Sequence, residues 1–213
     1  MPLKKIYLVR HGETKYNKLK IVQGRGIDAP LNEVGLSQAR MFYQAYKDVL
    51  FDKIYISSLK RTYESVQYFI DSGIPYEAEE GLDEISWGDH EGAEASAERN
   101  SYLRNTVQEW NMGSISLKIE GGESPQDVAE RQIPVIEKMM NAPEEVILIC
   151  MHGRSMRVLL CQLLDLPLHH MDDFNHNNLG LYILNYSSGK FTVEQTNLTS
   201  HLQDMPDTTV LKK

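Results

Sequence analysis

The chain has 213 residues, 41% of them hydrophobic and 24% charged, a balance that fits a water-soluble globular protein with a sizeable core. Its 30 acidic and 22 basic side chains give a net charge of −8, which argues against general binding of nucleic acid or of an anionic membrane but leaves room for an anion wherever cations gather. Cys150 and Cys161 sit in apolar runs without CxxC or Cys/His spacing, so they read as reduced core thiols, and no metal or other cofactor is expected.

"MPLKKIYLVRHG" lacks the long apolar stretch and small-residue cleavage site of a signal peptide, and no segment is long enough to span a bilayer, so a cytoplasmic location is expected. Lys5 to Val9 reads as a buried strand, ending abruptly in Arg10, His11 and Gly12. A polar loop is expected over about 12–34, then a helix over 35–50 with Leu36, Ala39, Tyr43, Tyr46 and Leu50 at helical spacing. "DKIYIS" (52–57) is a second strand, and Ser58 is placed to cap the following helix, whose stripe includes Thr62, Val66 and Ile70. Residues 81–122 are less regular, with a helix over about 96–111. The stretch of about 87–122 reads as an insertion or lid within one domain spanning 1–213. Ser124, Pro125 and Asp127 form a helix start, and Pro134 is expected to kink or interrupt that helix. "EVILICMHG" (145–153) is the strongest buried strand. Met156, Leu159, Leu160, Leu163 and Leu164 then form a helical stripe, and "LGLYILNY" and "KFTVEQTN" form a hairpin through Ser187, Ser188 and Gly189. Alternating strands and helices imply an α/β fold with a mainly parallel central sheet covered on both faces, and sites in such sheets form at the carboxyl ends of strands.

Three strand ends carry the chemistry: Arg10 and His11 after the first, Arg61 soon after the second, His152 and Gly153 after the third. A cation in the first turn of a helix opposes the macrodipole and is unfavourable unless an anion binds there. Arginine matches phosphate with two parallel hydrogen bonds, and a phosphomonoester carries about −1.5 to −2 charges at neutral pH. Two arginines and a protonated histidine would balance it. A neutral His11 could attack phosphorus if an acceptor, such as the carbonyl of Gly12, fixed its other nitrogen. The leaving oxygen needs a proton, and the acids of "GLDEISWGDHEG" (81–92) are the candidates.

At these residues the chain resembles the histidine phosphatase superfamily, the phosphoglycerate mutase-like family. "LVRHGET" (8–14), "QGRGIDAPLNEVGLSQA" (23–39), "SSLKRTYES" (57–65), "LDEISWGDHEG" (82–92), "GGES" (121–124) and "MHG" (151–153) match its motifs in order. The resemblance implies a three-layer α/β/α sandwich and a small phosphorylated substrate. It implies His11 as the phosphorylated nucleophile and Glu84 as proton donor, ahead of Asp83 and Glu91. His152 would act with them at the reacting phosphoryl group. Arg10, Arg61 and Asn17, with Gln23, Gly24 and Gly153, would hold the phosphate, and no metal is needed. Arg154 stands where the family often has a second glycine, adding a cation near the site. "ISWGDHEGAEAS" lacks the cations with which glycolytic mutases retain a sugar phosphate, so hydrolysis is favoured over mutase action. A serine esterase at Ser155 in "GRSMR", a dinucleotide site at "GRGIDA", metal binding by "HHMDDFNH" and a non-catalytic phospho-ligand module are the weaker readings. No coiled coil or interface stripe decides between monomer and dimer.

Overall fold

The computed structural model describes residues 3–94 and 96–203. Six strands, β1 (Lys4–Arg10), β2 (Lys53–Ile56), β3 (Tyr76–Ala78), β4 (Val146–Met151), β5 (Leu181–Ser187) and β6 (Lys190–Leu198), form one sheet in the order β3-β2-β4-β1-β5-β6. The first four are mutually parallel, and β5 and β6 run antiparallel to their neighbours. Alternation along β1 explains its central place. Ile6 and Leu8 enter a core layer with Met156, Leu159 and Leu160 of α6 (Gly153–Leu163), while Tyr7 and Val9 enter the opposite layer with Phe42 of α2 (Glu33–Tyr46) and Val66 and Phe69 of α3 (Lys60–Asp71). The result is a three-layer α/β/α sandwich.

Several local expectations give way to tertiary demands. The 12–34 loop contains a short helix, α1 (Lys15–Leu19), started by a capping box in which the Thr14 hydroxyl and Asn17 amide each accept the other's backbone N–H. Ser58 does not cap α3. Its N–H and hydroxyl both donate to buried Asp83, whose carboxylate needs donors more than the helix end does. Pro134 does not interrupt α5 (Pro125–Asn141), because both Pro134 and Glu130, whose carbonyl loses its helical partner, face solvent. Ser124 caps α5 as expected. The 87–122 stretch contains α4 (Ala97–Asn111), and its Trp110 and Ile119 pack with Ile85, Val128 and Val158 in a third apolar cluster. The final hairpin turns at Ser188 (φ 52°) and Gly189 (φ 84°), the paired positive angles of a type I′ turn.

The loop after β1 is pinned against the start of α2. Asn32 caps α2 through the Gly35 N–H and donates its amide to Glu13, while the Glu13 N–H donates to Gln38. Gly12 and Gly35 meet backbone to backbone. A Cβ on Gly35 would lie 2.2 Å from the Glu13 carbonyl oxygen, and one on Gly12 would lie 2.9 Å from the Gly35 oxygen. Gly35→Ala is therefore expected to lower the unfolding free energy by about 1–3 kcal/mol, as overpacking does. Urea denaturation checks this; an unchanged midpoint contradicts the close approach.

Candidate active site

The carboxyl ends of β1, β2 and β4 bring His11, Arg61 and His152 together, the ring centres of the two histidines lying 5.1 Å apart. His11 is buried. Its Nδ1 donates to the Gly12 carbonyl at 2.7 Å, so the proton sits on Nδ1 and the Nε2 lone pair is left without a partner among the described residues. Gly12 in turn donates its N–H to Ser65 Oγ on α3. Burial first, then the nearby charges of Arg61 and Arg10, hold the His11 imidazole well below its ordinary value, so it is neutral at physiological pH.

Arg61 is fully buried. Its Nε donates to His152 Nδ1 at 3.1 Å, Nη1 to the Ile27 carbonyl at 2.7 Å and Nη2 to the Gly24 carbonyl at 3.2 Å. Burial pushes it down to about 10, so it remains a cation at neutral pH. On the other edge of His152, Nε2 meets Ser57 Oγ at 2.7 Å. A ring whose Nδ1 accepts from a guanidinium must carry its proton on Nε2. The protonated histidine expected to complete the charge balance is thus absent: His152 is neutral, held well below its ordinary value by burial and then by Arg61. Its role in this arrangement is to accept from Arg61.

Arg10 turns toward the segment preceding β5, where Nη1 donates to the His176 carbonyl and to His176 Nδ1 at 3.2 and 3.3 Å. Arg10 Nε is buried without a partner among the described residues. Gln23 accepts the Thr14 hydroxyl at 2.8 Å, and its Nε2 is likewise buried and unpartnered. Asn17 Oδ1 accepts from the Thr14 N–H and from Asn178 Nδ2. The predicted glycines serve packing: a Cβ at Gly24 would lie 2.1 Å from Glu91 Oε1, and one at Gly153 would lie 3.0 Å from the His176 ring.

Glu84 sits on the other wall. Its Oε1 accepts the Ile85 and Ser155 N–H groups, each at 2.9 Å, and Oε2 accepts only the Arg154 N–H at 3.1 Å. The carboxylate therefore occupies the N-terminus of α6, a natural anion site, and Oε2 is the oxygen with room for a proton. Asp83 is engaged by Ser58 and Arg25, and burial raises it. Glu91 accepts from the Trp87 N–H. Arg154 does not face the phosphate side; its guanidinium pairs with Asp172, shared with Arg157, and lies 5.7 Å over the Trp110 ring. Ser155 is buried, and its hydroxyl has no partner among the described residues, so no imidazole of theirs activates it as an esterase nucleophile. No group of three or more His, Cys, Asp or Glu among the described residues is placed to hold a metal.

Sequence reasoning missed Ser57, which orients His152, and His176, which holds Arg10. Asn178 also reaches the site; its Nδ2 donates to the His11 carbonyl at 3.0 Å. The available signal was topological. An antiparallel neighbour of β1 begins where β1 ends, so residues just before β5 arrive at His11.

The chain matches the model of the histidine phosphatase superfamily (branch 1) over residues 6–199 and belongs to that family. It is 28% identical to the "Probable phosphoglycerate mutase GpmB" of Yersinia pestis, covering 94% of this chain and 95% of that one. A phosphoserine phosphatase from Entamoeba histolytica, solved with 3-phosphoglyceric acid, superposes with a TM-score of 0.79 at 25% identity over 93% of this chain and 99% of that one. A mycobacterial glucosyl-3-phosphoglycerate phosphatase solved with VO3 gives a TM-score of 0.81 at 25% identity, covering 92% and 100% of the two chains. The family is enzymatic, with phosphatase and mutase-like members. No helix among the described residues is long and apolar enough to cross a membrane.

The buried and half-buried histidines make a pH prediction. His11 and His152 are held well below 6.5 in the folded state, burial pushes His176 down to about 3 and also lowers His201, whereas an unfolded chain protonates all four near 6.5. Their contribution is complete above that pH and is lost as pH falls toward the folded values, by up to about 1.4 kcal/mol per pH unit for each ring. The urea midpoint is expected to fall steadily between pH 7 and 5, above the range where unfolded carboxylates titrate. A flat profile there contradicts the neutral assignments.

Proposed function

We propose that this protein hydrolyses phosphomonoesters of small metabolites through a phosphohistidine at His11 Nε2, without a metal. The supporting observation is a neutral imidazole with an unengaged Nε2 directly after Arg10, whose Nε is buried and unpartnered among the described residues, while Gln23, held to Thr14 from the loop between α1 and α2, carries a second such donor in its Nε2. A buried donor without an acceptor is unfavourable by about 1–3 kcal/mol, and phosphoryl oxygens would relieve that. Arg10, Arg61, Gln23 and the Asn17 amide nitrogen would hold the non-bridging oxygens, the two guanidiniums supplying the positive charge.

His11 Nε2 attacks phosphorus in line as the ester P–O bond breaks. The departing oxygen takes a proton from Glu84 Oε2. The Gly12 carbonyl, already accepting Nδ1–H, stabilises the charge that develops on the ring. Water then attacks the phosphohistidine, Glu84 recovers the proton, the P–N bond breaks, and inorganic phosphate leaves with His11 neutral again. The phosphatase names of two relatives support hydrolysis, as does the lack of any Lys or Arg from Ile85 to Glu98. The GpmB relative favours a second reading, return of the phosphoryl group to an organic hydroxyl.

The expected outcome is turnover of 4-nitrophenyl phosphate in the presence of EDTA, inhibition by vanadate, and loss of activity by at least about 10³-fold in His11→Ala. Activity that survives His11→Ala, or that requires added metal, overturns the mechanism. With a phosphoglycerate as substrate, inorganic phosphate marks hydrolysis and an isomeric phosphoglycerate marks the mutase.

A further inference from the structure

One guanidinium outside the phosphate site holds four carbonyls of the segment that carries Glu84. Arg131, on α5, donates Nη1 to the Gly81 carbonyl at 2.7 Å and the Glu80 carbonyl at 3.4 Å. Its Nη2 donates to the carbonyls of Asp83 at 2.9 Å and Glu84 at 3.1 Å. The remaining edge pairs with Glu123, Nε to Oε1 at 3.0 Å and Nη2 to Oε2 at 3.3 Å. Glu123 closes the loop from its other end: Oε2 accepts the Ser86 N–H at 2.8 Å, and the Glu123 N–H donates to the Ser86 carbonyl.

The segment 80–86 has little regular structure to fix it beyond a single 3-10 turn at Glu80–Leu82. Its path is set by hydrogen bonds to other elements, and the planar fork of arginine can serve several diverging carbonyls at once where the point charge of lysine cannot. Glu84 is thereby held from two sides, its main chain by Arg131 and its carboxylate by the N-terminus of α6. No hydrogen bond or ion pair joins Arg131 to His11, Arg10, Arg61 or His152, and its charge is the smallest of the influences that hold the His152 imidazole down.

We propose that Arg131 is a positioning residue for proton donation: it aims Glu84 Oε2 at the departing oxygen and acts on the reaction only through Glu84. The inference rests on the assignment of Glu84 as proton donor. Loss of a well-placed general acid harms poor leaving groups far more than good ones.

The test compares phenyl phosphate with 4-nitrophenyl phosphate, two esters of similar shape whose leaving groups differ in their need for a proton. Wild type, Glu84→Gln, Arg131→Met, Arg131→Lys and the double variant Glu84→Gln/Arg131→Met are assayed for kcat/KM, which reports formation of the phosphohistidine and not its hydrolysis, a step both esters share. In Arg131→Met, kcat/KM on phenyl phosphate is expected to fall by about 30- to 100-fold, a large share of what a general acid contributes, with no more than about a threefold change on 4-nitrophenyl phosphate. Arg131→Lys, the milder change, should show the same selectivity to a smaller degree. The double variant should be no slower on phenyl phosphate than Glu84→Gln alone, as residues acting through one group are not additive. Equal losses on both esters in both Arg131 variants, or additive losses in the double variant, overturn the proposal while leaving Glu84 as the acid. If Glu84→Gln itself shows no preference between the esters, the acid assignment falls, and this inference with it.

Discussion

The buried guanidinium of Arg61 is the constraint on which the site depends. No carboxylate among the described residues lies within ion-pair distance of it, so its charge is met by the carbonyls of Gly24 and Ile27 and by one imidazole nitrogen. Isolated charges are kept out of protein interiors unless something compensates them. Here the compensation comes from two stretches of chain, the 24–27 loop and the residue after β4, brought to the beginning of α3 where Arg61 stands. Each must adopt its observed path for the cation to be tolerated. The same network fixes His152 as the Nε2–H tautomer and leaves a concentration of positive potential that suits a dianion.

In the proposed mechanism the site has two walls, built from opposite faces of the sheet. The proposed phosphate wall comes from β1, α3 and the loop between α1 and α2, with α2 and α3 covering one core layer. The proposed acid wall comes from the 80–86 segment and α6, which belong with the layer containing α5. The separation suits a displacement in which the nucleophile and the departing oxygen lie on opposite sides of phosphorus. It also explains why the apolar cluster of Trp110, Ile119 and Ile85 matters: it seats α4 and the 119–123 turn against the acid wall.

Much of this was legible in the sequence because it followed from buried strands. β1 and β4 are continuous apolar runs, so their ends could be located and the residues beyond them assigned. Arg61 declared itself by standing in a helical turn where a cation is unfavourable. What could not be read came from tertiary competition. Ser58 looked like a cap because its local sequence favoured one, but buried Asp83 claimed its donors. Pro134 looked like a break because sequence does not show that the orphaned carbonyl faces water. The tautomer of His152 depends on a guanidinium ninety-one positions away, and His176 reaches Arg10 only because β5 runs antiparallel.

The parallel arrangement of β1 to β4 also gives the molecule an idle rim. The connections entering β2, β3 and β4, residues 47–52, 72–75 and 142–145, together with the Ser188–Gly189 turn, lie at the end of the sheet remote from the imidazoles. Chain can be lengthened there at small entropic expense. That rim is where such a scaffold can drift, carry a fused module or be tethered to a support while its turnover chemistry stays intact.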